Sequence, residues 1–301
     1  MADVTDPAWR RLVAKRGKPD VFWTEFVSAD GLYHLANQEV NPLLRDLQFD
    51  ENQRPIVAQI FSATPEMIVY ATQLVAKLGF DGVDINMGCP DRAIERQGAG
   101  AAMIKNPERA RDIIRAAQEA SKLPVSVKTR VGYTKESLEE WLPALLEANP
   151  AAITLHLRTR KEMSAVPAQW ELMKKAVAIR DRVNPKVFLI GNGDVRDLAD
   201  ARVKAREAGC EGIMLGRAMF GNPWVFAGRV SQEIPLPEKL DALVELAYDF
   251  ETLSPPKHFA ILKKHIKAFV TGFPGAAELR AKLMEAEGAA DLERIRKENP
   301  L

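Results

Sequence analysis

The sequence predicts an α/β protein, a parallel barrel of eight strand-helix units in which one strand is missing, followed by a small helical bundle. Three observations carry this. Short β-branched runs alternate with helical ones as far as Arg229, the alternation then stops, and 301 residues suffice for one large unit and one small one. Seven runs read as strands, at 21–25, 56–61, 83–86, 125–130, 153–156, 187–191 and 213–215. Between them, segment 65–78 opens on Pro65 at a first helical turn, and segment 107–121 carries Ile113, Ile114 and Ala117 at helical spacing. Such units close into a barrel at about 250 residues. Past Arg229 the stretches 236–253, 256–271, 276–287 and 290–298 read as helices, so the chain divides into a barrel domain at 1–231 and a helical domain at 232–301.

The second of those helical stretches is the run from Pro256. At about 100° per residue it sets Phe259, Leu262, Ile266, Phe269 and Val270 on one arc. Lys257, Lys263, Lys264 and Lys267 fall on the adjoining arc, and His258 and His265 on a third. Between Lys257 and Lys282 six lysines and arginines face a single acid, Glu278. Most such faces are merely solvated, but clustered cations are also what a phosphate backbone selects. The whole chain, with 42 basic and 41 acidic residues, gives no global sign of a nucleic-acid partner, so any such binding must be local. Two cysteines, Cys89 and Cys210, make no disulfide framework, and no apolar run reaches the roughly 18 to 20 residues that cross a bilayer. The start has neither a basic region nor an apolar core, so a reducing cytoplasm is expected, with no membrane and no metal.

The run from Val83 to Arg92, Val-Asp-Ile-Asn-Met-Gly-Cys-Pro-Asp-Arg, sets Cys89 between a glycine and a proline just past a strand. Val83 and Ile85 alternate with Asp84 and Asn86, Gly88 permits unusual backbone angles, and Pro90 fixes the chain beyond. A lone cysteine is more often a small buried hydrophobe. A loop at the carboxyl end of a barrel strand is where chemistry sits. Cys210, in Ala-Gly-Cys-Glu-Gly before an apolar strand, lacks that setting and reads as structural. After the last two strands, Gly191-Asn192-Gly193-Asp194 and Gly216-Arg217 supply glycine amides and a permanent charge where barrels often hold phosphate.

These runs, DINMGCP followed by GAGAAM, resemble the signature of the tRNA-dihydrouridine synthases. In the same order along the chain come Val4-Thr5-Asp6, Val127-Lys128-Thr129-Arg130, His156 with Arg158-Thr159-Arg160, Gly191-Asn192-Gly193-Asp194 and Leu215-Gly216-Arg217, so the resemblance covers essentially the whole sequence. In that family an apolar strand ends in Ala-Pro-Met, so the resemblance implies that Met1 and Ala2 would be the remains of a first strand and the sequence would be a truncated or late-started form. A barrel lacking a strand leaves two edges with unpaired backbone groups.

The resemblance implies an FMN enzyme that reduces uracil within tRNA. NADPH would reduce the flavin, which would pass hydride to carbon 6 of a flipped uridine while Cys89, as general acid, protonates carbon 5. Met1, Gln59, Lys128 and His156 would hold the flavin ring, Lys128 beside the negative charge of its reduced form, and Asn192, Gly193, Asp194, Gly216 and Arg217 the phosphate end. Asn86, Arg158 and Arg160 would meet the substrate at the barrel, and Lys257, Lys264 and Arg280 would meet tRNA on the helical domain of a monomer. Gly272-Phe273-Pro274-Gly275-Ala276 and Leu279-Arg280 resemble the segment of that domain which meets tRNA. Two departures bear on which uridine is read: Leu157 stands where the family has glycine, and 164–170 lacks the usual glycine-bearing run. A leucine there narrows the approach to the flavin or points away. The alternatives are an FMN barrel acting on a free pyrimidine or enone, and a tRNA-binding protein without flavin.

Overall fold

A computed structural model describes residues 1–299, and each of the seven β-branched runs is a strand in it. After helix α1 (Pro7–Arg16) come β1 (Phe22–Ser28), α2 (Ala29–His34), α3 (Pro42–Asp46), β2 (Ile56–Phe61), α4 (Pro65–Lys77) and β3 (Gly82–Met87). They are followed by α5 (Arg92–Arg96), α6 (Pro107–Ala120), β4 (Val125–Arg130), α7 (Leu138–Glu147), β5 (Ala152–His156) and α8 (Glu171–Val183). The barrel part ends with β6 (Phe188–Asn192), α9 (Leu198–Ala208) and β7 (Gly212–Met214). The strands form one all-parallel sheet in chain order, the arrangement of a β/α barrel left open between β1 and β7. Met1 and Ala2, expected at a strand end, lie in a turn closed by Val4 and Thr5 amides donating to the Met1 carbonyl at 3.1 Å.

The helices start where capping chemistry starts them. Asp6 accepts from the Trp9 amide at 3.0 Å and precedes Pro7, Asn106 accepts from the Arg109 amide at 3.1 Å and precedes Pro107, and Asp197 accepts from the Asp200 amide at 2.8 Å. α9 ends at Gly209 with φ of 72°, the left-handed cap that suits glycine. One face of each strand is apolar and packs under the helices. Val83, Ile85 and Met87 of β3, Val125 and Val127 of β4, and Ile153 and Leu155 of β5 share a buried core with Ile68, Ile113, Ile114, Leu142 and Leu145 from the helices.

Past β7 the chain is helical: α10 (Leu236–Glu251), α11 (Lys263–Phe269), α12 (Ala276–Met284) and α13 (Ala289–Glu298). The second expected helix is shorter than its pattern suggested. Pro255 and Pro256 supply no backbone donor, His258 caps a short 3-10 turn by accepting from the Ala260 amide at 3.1 Å, and α11 begins only at Lys263. Lys257 is therefore off the helix. The helices lean on the barrel through α1, where Trp9 stacks on His265 at 4.6 Å and meets Phe269 edge-on at 6.0 Å. No helix among the described residues is long and apolar enough to cross a membrane.

Burial holds His265 neutral, its pKa lowered to about 3. Below its ordinary value of about 6.5 the unfolded chain takes up a proton that the folded one refuses. Stability therefore rises with pH through that interval and is lost as pH falls. His265→Phe keeps the ring on Trp9 and is expected to flatten the fall in melting temperature between about pH 7 and pH 5; an unchanged slope would refute this assignment.

Candidate active site at the carboxyl ends of the strands

Strand register assembles the polar interior. Gln59 of β2 pairs with Asp84 of β3, and Asp84 with Ser126 of β4; one step toward the carboxyl end Asn86 pairs with Lys128, and Lys128 with Thr154 of β5. The next step brings Arg130, His156 and Asn192 of β6 into line. Because side chains alternate along a strand, these residues all face away from the apolar layer under the helices. Of these, Gln59, Asn86, Lys128, His156 and Asn192 were named from the sequence. Asp84, Ser126, Arg130 and Thr154 were not, although each is in phase with a residue that was.

Cys89 follows β3 on a loop whose shape is fixed from below. The Asn86 side-chain oxygen accepts from the Gly88 amide at 3.1 Å and from the Cys89 amide at 2.9 Å, an Asx turn. From the other side the Ala101 amide donates to the Cys89 carbonyl at 2.9 Å. Gly100, at φ of 59°, makes this possible, since a Cβ there would lie 2.7 Å from that carbonyl oxygen. Arg130 holds the loop by donating to the Gly88 carbonyl at 2.8 Å and to the Thr159 carbonyl at 3.1 Å. The thiol is half-buried against Phe61, Ile94 and Ala99, and burial pushes its pKa up despite the pull of Arg130 and Lys128.

Lys128 makes no hydrogen bond or ion pair among the described residues. Burial, then the nearby Arg130 charge, lowers its ammonium pKa to about 8. His156 is held neutral, at about 2, by burial and by the cations Lys128, Arg130 and Arg158. Its Nε2 lies 3.2 Å from an Arg158 nitrogen. Arginine only donates, so Nε2 accepts and the ring proton is on Nδ1. Met1, also expected here, brings its amino group within electrostatic reach of Lys128 and Cys89.

Where the phosphate end was expected, Asn192 donates to the Met214 carbonyl at 2.8 Å, and Asp194 pairs with both Arg158 and Arg217. Hydrogen bonding from Arg158 lowers the Asp194 pKa to about 2, so a carboxylate sits where an anion was expected. Asp194 is thus engaged by two guanidinium groups and orients Arg217. Gly191 and Gly193 are explained by packing, because a Cβ would fall 2.7 Å from the Trp170 ring at the first and 2.8 Å from Ala168 at the second. Gly216 is open on that side and Arg217 is 66% exposed.

The residues expected to meet substrate scatter more widely. Arg158 is 3% exposed and spent on Asp194, His156 and the Val166 carbonyl, which corrects its assignment as an entrance-loop contact. Arg160 is half-buried, held by Glu95 and donating to the Pro90 carbonyl at 3.3 Å, so it too braces the Cys89 loop. Lys257 is the clearest correction: 2% exposed, it is paired with Glu25 at 3.2 Å and Asp46 at 3.1 Å and cannot reach RNA. Lys264 is 46% exposed beside Asp3, and Arg280 is half-buried, donates to the Val270 carbonyl at 2.9 Å and lines a concave surface with Phe273 and Pro274. Leu157 is wholly buried in the apolar core and so points away from the site.

The donor set fits a flavin. Gln59 and Asn86 each spend one amide hydrogen inside the protein, toward Asp84 and Gln59 respectively, and keep one for a ligand. Beside them stand the unpaired Lys128 ammonium and the buried Thr154 hydroxyl, which lacks any partner. Such groups match the acceptor-rich edge of a ring that becomes anionic on reduction.

The family described as "Dihydrouridine synthase (Dus)" matches residues 1–299. A Staphylococcus aureus (strain MRSA252) protein named "Probable tRNA-dihydrouridine synthase" is 37% identical over 295 residues, spanning 97% of this chain and 88% of that protein. The Bacillus subtilis (strain 168) "Probable tRNA-dihydrouridine synthase 2" is 38% identical over 296 residues, 97% of this chain and 90% of that one. Among solved structures, 2-naphthoyl-CoA reductase in complex with 2-naphthoyl-CoA superposes with a TM-score of 0.55 at 11% identity, over 77% of this chain and 48% of that one, a likeness of fold.

Proposed function

The chain belongs to the dihydrouridine synthase family, and we propose that it reduces the 5,6 double bond of uridine in tRNA, with FMN bound, NADPH as electron source and Cys89 as general acid. The observation that carries this is a thiol fixed by Asn86 at the carboxyl end of β3, beside an ammonium and amide hydrogens that the protein leaves unpaired. Gln59, Lys128 and His156 would hold the flavin ring, Asn86 would meet the uracil, and Gly216 and Arg217 would hold the flavin's phosphate. Bound there, FMN supplies two-electron reduction. A thiol with a raised pKa stays protonated at neutral pH and keeps its proton at Sγ until carbon 5 of the pyrimidine requires it.

We assign reduction to residues 1–231 and grip on the tRNA body to 232–301, where Lys263, Lys264, Lys267 and Arg280 remain as cations. Extracting a base from its stack costs a few kcal/mol, which contacts elsewhere on the RNA offset. The test is dihydrouridine formed in an unmodified tRNA transcript by the flavin-loaded protein with NADPH. Reduction of free uracil with none of tRNA would sink the proposal.

Lys128 gives this reading a pH signature. Its charge is present below about 8, so kcat/KM is expected to fall as pH rises through that value. Lys128→Met should lower the rate at neutral pH to what the unaltered enzyme reaches in alkali, and abolish the alkaline limb. A limb that survives in the methionine variant belongs to another group.

A further inference from the structure

On the reading that Cys89 supplies the proton, we propose that Asp84 is a positioning residue whose carboxylate, acting through Gln59 and Asn86, sets the orientation of the loop that carries Cys89.

The relay is continuous. Ser126 Oγ donates to Asp84 Oδ1 at 2.6 Å, Gln59 Nε2 donates to Asp84 Oδ2 at 2.7 Å, Asn86 Nδ2 donates to Gln59 Oε1 at 2.9 Å, and Asn86 Oδ1 receives the Gly88 and Cys89 amides. Its direction is set at both ends. Backbone N–H groups can only donate, so Asn86 must turn its oxygen to the loop and its amino group to Gln59. A carboxylate can only accept, so Gln59 must turn its amino group to Asp84 and its oxygen to Asn86. The two demands agree, and the links among Ser126, Asp84, Gln59, Asn86 and the Gly88 amide are buried, where a mismatched link is expensive.

A protonated Asp84 loses this property, because its hydroxyl can donate to Gln59 and invite the amide to flip, which would set two amino groups face to face. Burial raises the Asp84 pKa to about 6, against hydrogen bonds from Ser126 and Gln59 and the charge of Lys128. Lys128 of β4 is the charged group facing it among the described residues; β2 presents Gln59, and β1 the indole of Trp23. The relay therefore tightens above about pH 6 and loosens below it.

The readout is alkylation of Cys89 by iodoacetamide in the flavin-loaded protein, followed by peptide mass with Cys210 as internal control. Asp84→Asn can still offer an oxygen to Gln59 while its amino group donates to Ser126, so it keeps the direction and removes the titration. In the unaltered protein the log rates below about pH 6 should lie above the unit-slope line extrapolated from higher pH, and Asp84→Asn should restore a straight line. Gln59→Leu and Asp84→Leu break the relay and should speed Cys89 alkylation about tenfold at fixed pH, the size of one buried hydrogen bond, with Cys210 unmoved. Superimposable plots for the unaltered and Asp84→Asn proteins overturn the inference even where the leucine variants fail to fold. So do Cys89 rates within about twofold in the folded leucine variants. Since the thiol is read without tRNA, a positive result alongside no dihydrouridine would keep the relay and reject the proposed reaction.

Discussion

Cys89→Ala is expected to abolish dihydrouridine formation while leaving flavin content and NADPH oxidation intact. Loss of a positioned general acid lowers rates by about 10²- to 10⁴-fold. The substitution is clean because the bonds that shape this loop are made to the backbone: the Asn86 oxygen accepts from the amides of Gly88 and residue 89, and the carbonyl of 89 accepts from the Ala101 amide, whatever side chain is there. What goes is the sulfur, packed beside Phe61, Ile94 and Ala99. Burial places the thiol pKa above its ordinary value, so the acid form persists through neutral pH and, on the proposed mechanism, the alkaline limit on turnover is expected first from Lys128. Cys89→Ser keeps a proton on a far less acidic oxygen and should recover little. Turnover by the alanine variant within about twofold of the unaltered enzyme would transfer the acid role elsewhere.

The barrel was legible because its signal is local. β-branched runs flanked by turn residues mark strands wherever helices cover both ends of a unit, and all seven are present within a few residues of their expected bounds. The interior was half legible. Lys128 drew notice through its motif, yet the alternation that points it inward also points Ser126 and Arg130 inward, and Asp84 with Asn86. Reading the phase of each strand would have found Asp84, Ser126 and Arg130, and Thr154 of β5 likewise. Arg158 and Lys257 were opaque for another reason: the partners that bury them, Asp194, Glu25 and Asp46, lie 36 or more positions away in the chain, and helical arcs say nothing of such pairings. The arc reading of Lys257 also presumed a helix that Pro255 and Pro256 postpone to Lys263.

Lys257→Met is expected to be the most destabilising single change at the seam between barrel and helices. The ammonium joins Glu25 of β1 to Asp46 of α3, and the same Glu25 carboxylate accepts the Val4 and Thr5 amides at 2.9 and 3.0 Å. Removing the cation leaves two carboxylates close together with little solvent, a loss of about 3–5 kcal/mol for a broken buried pair. For a chain of this size that is on the order of 10 °C in melting temperature. The pair itself need not be stabilising, since desolvation opposes it. Glu25→Gln retains an oxygen for the two amides and relieves the unpaired charge, so the double variant Glu25→Gln, Lys257→Met should melt higher than Lys257→Met alone. Burial by itself would lower the Lys257 pKa, but Glu25, Asp46 and Asp6 outweigh it and raise the value. The contribution is thus fully present below the ordinary lysine pKa and is lost only as pH rises through the higher folded one, in strong alkali. A Lys257→Met protein that melts with the unaltered one, or a double variant that melts no higher than the single, would show that this seam is held by the stack of Trp9 on His265 and its apolar surroundings instead.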